Sequence, residues 1–233
     1  MLLQAPDAAA RLARIHARIA AAAPATLAPD RALLAVSKLQ PASAVRALAE
    51  AGQRRFGENY VQEAVAKRRE LSDLDLEWHL IGPLQSNKAH LAAQHFDWVQ
   101  SLDRAKLVPL LARGRPPECG PLNVLIQVNI DDESSKSGCA PTQIEDLARA
   151  VAAEPRLALR GLMAIPAPHP DPARRRAAFR RMAALFGALR ARHPEVDTLS
   201  MGMSDDFEAA LAEGATLVRL GTVLFGARTP RPA

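Results

Sequence analysis

"RALLAVSK", residues 31 to 38, carries five consecutive apolar residues, Ala32 to Val36, and then stops on Ser37 and Lys38. An unbroken apolar run of this length suits a strand covered on both faces, the usual condition inside a parallel sheet. No GxGxxG follows it, so the nucleotide-binding turn of a doubly wound sheet is missing. Outward from this stretch the theme of apolar run, polar turn and longer amphipathic segment repeats. Further runs lie at Arg55 to Gly57, Trp78 to Ile81, Trp98 to Leu102, Val124 to Ile130, Leu159 to Ile165, Leu199 to Met203 and Leu217 to Leu220. Between them, Ala42 to Ala51, Val61 to Leu71, Gln143 to Ala153, Arg174 to Arg192 and Asp205 to Ala212 show helical spacing. Strands alternating with helices imply parallel pairing, and eight such units in roughly 200 residues match the lower size limit of a (β/α)8 barrel. Polar residues also cluster after nearly every run rather than at one switch point. The expected fold is α/β: a single-domain (β/α)8 TIM barrel over residues 31–233, with an N-terminal helix within residues 1–30 packing on it. An open doubly wound sheet is the alternative.

Composition narrows the functional classes. The chain has 233 residues, 48% of them hydrophobic, enough for a sizeable core. No apolar run reaches the ~18 residues a membrane span needs, and Asp7, Arg11 and Arg14 interrupt the N-terminal alanines, so the reading is a cytoplasmic protein without a membrane partner. Cys119 and Cys139 form neither a disulfide framework nor a metal-ligand spacing; His90 and His95 are five apart, wrong for one helical metal face, and no metal is expected. The net charge is +5, but aromatics make up only 4% and the one dense basic cluster, Arg174-Arg175-Arg176 with Arg180-Arg181, sits in an alanine-rich helical segment. A solvated helix face explains it, and no nucleic-acid partner is expected. The remaining use of the charge is a modest attraction for small anions.

In a barrel of this kind the active site lies at the C-terminal ends of the strands. The residues there are Ser37-Lys38, Gly57-Glu58-Asn59-Tyr60, His79 with Gly82 to Lys88, Asn129 with Ser135-Lys136-Ser137-Gly138, Met163, Ser200 to Ser204, and Arg219 to Thr222. The last two groups carry most weight, because phosphate sites in these barrels are built from the loops after strands seven and eight. Ser204 precedes an acidic, alanine-rich helix; it reads equally as a phosphate-binding hydroxyl and as a plain N-cap. Arg219, Gly221 and Thr222 sit where a final helix begins. Barrel closure then sets Lys38 beside this cradle. The chain has five lysines against twenty-five arginines, so a lysine here is a candidate for amine chemistry; the alternative is a strand-end cation with its head in water. A ligand that presents an aldehyde to an amine and a phosphate to two anion-binding turns is pyridoxal 5'-phosphate (PLP). Lys136 has the simpler reading of a solvated loop lysine.

These residues resemble a known family. The stretches "AVSK" (35–38), "FGENYVQE" (56–63), "WHLIGPLQSNK" (78–88), "VNI" with "SKSG" (128–138), "GLM" (161–163) and "LSMGMSDDFEAALAEGATLVRLGTVLFG" (199–226) are similar to those of the pyridoxal phosphate homeostasis proteins, small single-domain relatives of the alanine racemase barrel. The resemblance implies the type III PLP fold, with Lys38 as the Schiff-base lysine and Ser204, Arg219, Gly221 and Thr222 around the phosphate or ring. It implies Asn59, His79, Met201 and Met203 as further pocket wall, a monomer, and PLP-dependent apo-enzymes as recipients.

Racemisation needs an acid or base on each face of the cofactor. Lys38 serves one face. In the racemases, by resemblance, the other base is a tyrosine from an additional C-terminal domain, and the one tyrosine here is Tyr60, after strand two. The expectation is therefore a PLP carrier or buffer with little or no turnover. The alternative is a small amino-acid racemase using water, His79 or Tyr60.

Overall fold

The computed structural model describes residues 5–22, 31–133, 137–167 and 169–226. An N-terminal helix, α1 (Ala5–Ala22), precedes eight strands alternating with helices. In order these are β1 (Ala32–Val36), α2 (Ala42–Glu50), β2 (Arg55–Glu58), α3 (Val61–Glu70), β3 (Glu77–Leu80), α4 (Ala89–His95), β4 (Trp98–Leu102) and α5 (Leu107–Gly114). The second half contains β5 (Leu122–Val128), α6 (Ile144–Ala152), β6 (Leu157–Ala164), α7 (Pro172–Arg190), β7 (Thr198–Ser200), α8 (Phe207–Ala212), β8 (Leu217–Leu220) and α9 (Thr222–Phe225).

All eight strands pair in parallel and the sheet closes, β1 meeting β8 in the register Ala32↔Leu217 to Ala35↔Leu220. An open sheet would leave two edge strands, so this pairing decides for the barrel. β1 shows why its sequence is apolar throughout. Leu33 and Ala35 face the large core under the helices, whereas Leu34 joins Ile81 and Leu217 in a small cluster flanked by Ala32 and Val36. Both faces of the strand are buried, and period-2 alternation disappears from the sequence.

Trp98, Leu125 and Met163 form another small apolar cluster. Much of the remaining barrel interior is polar: buried His79, Gln100, Ser200 and Arg219 are hydrogen-bonded across it. Such groups are tolerated in an interior only when partnered.

Helix α1 buries Ala8, Leu12, Ile15 and Ile19, one stripe at helical spacing, against α2, α8 and α9 beside the β8–β1 closure. Its polar side is tied down as well: Arg18 pairs with Glu208 and stacks over Phe207, and Arg11 donates to the carbonyl of Leu224. Helices α4 and α5 were not among the segments read from sequence. The first is only two turns long, too short for a periodic signal. The second contains Pro109, which reads as a break but occupies the first turn, where a missing N–H costs nothing. The basic segment of α7 does lie on the surface, with Arg174, Arg176, Arg180 and Arg181 exposed. Among the described residues no helix is long and apolar enough to cross a membrane.

Candidate functional site

The C-terminal ends of the strands frame a cavity of ≈ 420 Å³, a size suited to a small organic ligand. Seven of the nine residues singled out from sequence line it: Lys38, Asn59, Met203, Ser204, Arg219, Gly221 and Thr222. Val36, Ile81 and Ile165 add an apolar wall. His79 and Met201 do not line the cavity. His79 is buried deeper along β3, its ring stacked on Trp98 at a centroid distance of 5.1 Å. Met201 points outward into the core beneath the helices.

Lys38 follows β1 on a backbone held from behind by ionic groups. The Lys67 ammonium donates to the carbonyl of Ser37 at 2.7 Å, to Glu58 Oε1 at 2.7 Å and to Glu63 Oε1 at 2.8 Å. The Ser37 hydroxyl donates to the same Glu58 oxygen at 2.6 Å, and the N–H of Leu39 donates to Glu63 at 2.7 Å. The carbonyl before Lys38 and the N–H after it are thus both anchored to one ion cluster from β2 and α3. Leu39 takes a left-handed φ of 61°, unusual for a residue with a branched side chain, and the Glu63 bond helps hold it there. Burial raises the Glu58 pKa, with Lys67 working against it. Glu58 Oε2 is buried without a partner.

On the opposite side of the closure, Arg219 is buried and donates through Nη1 to Ser200 Oγ at 2.7 Å and through Nη2 to the carbonyl of Ala164 at 2.8 Å. Burial pushes its guanidinium down to about 10, against the pull of Asp206, so it remains a cation at neutral pH. Its backbone N–H donates to the carbonyl of Gly202 at 3.0 Å. Gly202 has φ +91°, and a Cβ there would come within 2.6 Å of Ala210 Cβ, so only glycine permits this turn to close over α8. Helix α8 starts at Phe207 with Asp206 in the cap position, where its carboxylate accepts from the N–H of Met203 at 2.7 Å. Ser204 stands upstream of the cap, on the cavity wall. The plain N-cap reading of Ser204 is thereby corrected. Gly221 begins the turn into α9, facing Val36.

A model of the alanine racemase N-terminal domain family matches residues 10–229. The pyridoxal phosphate homeostasis protein of Escherichia coli strain K12 is 54% identical over 227 residues, covering 95% of this chain and 97% of its own. That of Pseudomonas aeruginosa strain PAO1 is 54% identical over 226 residues, covering 94% and 95%. The chain belongs to the pyridoxal phosphate homeostasis protein family. The structure of PipY from Synechococcus elongatus PCC7942 with PLP bound superposes with a TM-score of 0.82 at 40% identity, over 94% of this chain and 100% of PipY. Alanine racemase from E. faecalis, at 16% identity and a TM-score of 0.67, covers 58% of its own chain and shares the fold.

Several cavity residues were not singled out as site residues. Gln127, near the C-terminal end of the mostly apolar β5, donates to the carbonyl of Ser137, and both line the cavity. A polar residue next to the C-terminal end of a buried strand is the signal in the sequence. Asp205, one of the acidic residues after Ser204, also lines the cavity. Asn129 instead braces its own loop through Glu133. Ser135 and Lys136 lie outside the described residues. Among the described residues no three His, Cys, Asp or Glu side chains gather as metal ligands would.

Proposed function

We propose that this chain binds pyridoxal 5'-phosphate in the strand-end cavity, with Lys38 as the attachment point, and keeps or delivers the cofactor without turning over a substrate. The carrying observation is that Lys38, Arg219, Ser204, Gly221 and Thr222 converge on one cavity from the two strands that close the barrel and the loop before them. When bound, PLP supplies an aldehyde that condenses with a primary amine, with loss of water. Lys38 is a primary amine on the cavity wall. The hydroxyls of Ser204 and Thr222 and the Gly221 turn suit an anionic group. Val36, Ile81 and Ile165 suit the faces of a flat ring, and the buried Arg219 places a fixed positive charge beside it. The donor set therefore fits the group.

The carrier reading is favoured over a racemase by the positions of the two side chains that the sequence offers as a second base. Neither His79 nor Tyr60 lines the cavity; the first lies deeper in the barrel and the second is 58% exposed. The PLP bound in PipY, and the PLP homeostasis for which the bacterial relatives are named, are in keeping with this reading. We place the protein in the cytoplasm as a monomer that passes its cofactor to PLP-dependent apo-enzymes.

Purified protein mixed with PLP should develop a visible absorption band that borohydride bleaches, and mass spectrometry of the reduced protein should find the adduct on the peptide containing Lys38. An adduct elsewhere, or no band, overturns the assignment. Deuterium wash-in at the α-carbon of a panel of amino acids separates carrier from racemase: none is expected, and robust exchange would favour the enzyme.

A further inference from the structure

The barrel interior contains a chain of hydrogen bonds leading away from the cavity. Arg219 Nη1 donates to Ser200 Oγ at 2.7 Å, and Ser200 donates to Gln100 Oε1 at 2.7 Å. Gln100 Nε2 lies 2.9 Å from His79 Nδ1, and His79 Nε2 lies 2.7 Å from Glu77 Oε1. The chain draws on β8, β7, β4 and β3, and its three middle members are buried. Glu77, at the start of β3, also accepts from Arg55 at 3.1 Å.

The direction of every bond follows from the two ends. A guanidinium can only donate, so Ser200 accepts from it and passes its single proton to the Gln100 oxygen. The amide nitrogen then faces His79, whose Nδ1 must accept, leaving the ring proton on Nε2. An ionised Glu77 can only accept, and demands the same tautomer. The assignment made from the cavity end agrees with that made from the far rim. All donors therefore point one way, from the cation in the cavity to the carboxylate, in a low-dielectric interior where such chains reinforce one another.

We infer that Ser200, Gln100 and His79 are positioning residues for Arg219, fixing the guanidinium against the cofactor cavity, and that this arrangement holds only while His79 is neutral. The link to the cofactor rests on the PLP reading above; the chain itself does not. A second proton on His79 would turn Nδ1 into a donor and force the Gln100 amide to rotate. Ser200 would then face two donors, Arg219 and Gln100, and its own proton would lose its acceptor. The cation in the cavity thus opposes protonation of a ring deeper in the barrel. Other charges around that ring are Glu77 on its own strand, Arg55 on β2, Asp97 before β4 and, across Trp98, Arg160 on β6.

The test uses Ser200→Ala and its conservative partner Ser200→Thr, which leave those four charges in place. In cofactor-free protein, the His79 ring is titrated by nitrogen NMR, its signals assigned by their loss in His79→Gln. Ser200→Ala lets the Gln100 amide rotate freely, and the His79 midpoint should rise by about one pH unit, while Ser200→Thr should restore it. With PLP added, the pH midpoint of the visible band should move in Ser200→Ala and return in Ser200→Thr. An unchanged His79 midpoint in a folded Ser200→Ala protein overturns the coupling. A shifted His79 midpoint with an unchanged band overturns only the positioning of Arg219 toward the cofactor. Failure of the wild type to take up PLP would overturn the proposed function while the cofactor-free titration still judged the relay. Should Ser200→Ala fail to fold, Gln100→Leu gives the same two readouts with the break one step further from Arg219: an unchanged His79 midpoint there overturns the coupling, and an unchanged band overturns the positioning of Arg219.

Discussion

Replacing Lys67 with methionine isolates the cost of holding Lys38 in place. The Lys67 side chain is 7% exposed and its ammonium has three acceptors within 2.8 Å, one of them on Glu58, whose side chain is wholly buried. Methionine fills similar volume but leaves a buried carboxylate facing no cation and the Ser37 carbonyl without its donor. Breaking a buried pair from one side costs about 3–5 kcal/mol, which for a chain of this size lowers the unfolding midpoint by about 10 °C. The deficit should also depend on pH with a definite sign. Burial already raises the Glu58 pKa in the intact protein, and losing Lys67 raises it further. The folded variant then holds a proton that the unfolded chain releases above about 4.5. Its deficit is therefore largest at neutral pH and shrinks as the pH falls toward 4.5. Thermal unfolding of wild type and Lys67→Met at pH 7 and pH 5 measures this, and the double variant Lys67→Met with Glu58→Leu, which removes both charges, should be more stable at pH 7 than Lys67→Met alone. A deficit below about 1 kcal/mol, one that is flat with pH, or a double variant no better than the single would refute the reasoning.

Lys38→Arg keeps the positive charge but loses the primary amine, so it should show no borohydride-sensitive band and no covalent retention of PLP; a retained adduct would mean a different lysine is used. Gly202→Ala should cost about 2 kcal/mol or more, read by denaturant unfolding, because it must hold φ +91° and press a Cβ to 2.6 Å from Ala210. Burial lowers the His79 pKa despite the hydrogen bond and charge of Glu77, so the unfolded chain binds the extra proton first. Stability carried by this residue is complete above its unfolded value of about 6.5 and is lost as the pH falls below it toward the folded value. Glu58 has the opposite slope above about 4.5, so the informative quantity is the difference between wild type and His79→Gln, whose melting temperature should fall less between pH 7 and pH 5.

The fold was legible because burial on two faces writes itself into sequence as apolar runs, and because each run ends on residues that cannot stay in a core. Lys38 and Asn59 stand just after β1 and β2 and Ser204 lies in the turn after β7, whereas Arg219 is a buried residue within β8. His79 and Met201 show what that rule lacks. Inside a four-residue strand, alternation says which face a side chain occupies but not how far along the barrel axis it sits, and His79 is one layer too deep to reach the cavity. Met201 comes directly after β7, yet it turns into the outer core. The partnership of Glu58 with Lys67 was equally invisible, since one is on a strand and the other on the following helix, and only packing of α3 against β2 brings them to 2.7 Å. Nor does any spacing rule connect Gln100 to Ser200 across a barrel.

The two buried polar systems serve one end from different directions. The Lys67 cluster grips the backbone on both sides of Lys38 from outside β1, while the chain from Glu77 reaches Arg219 through the interior. Each removes freedom from a group that contacts the cavity, and each does so with charges that must be desolvated, a cost that apolar residues of the same volume would avoid. Neither system brings a side chain to the cavity wall as a further proton donor or acceptor: Glu58, Lys67, Gln100 and His79 are all absent from its lining. Both systems hold an amine and a cation in place at the cavity wall from groups outside it, which suits the proposed retention of a cofactor.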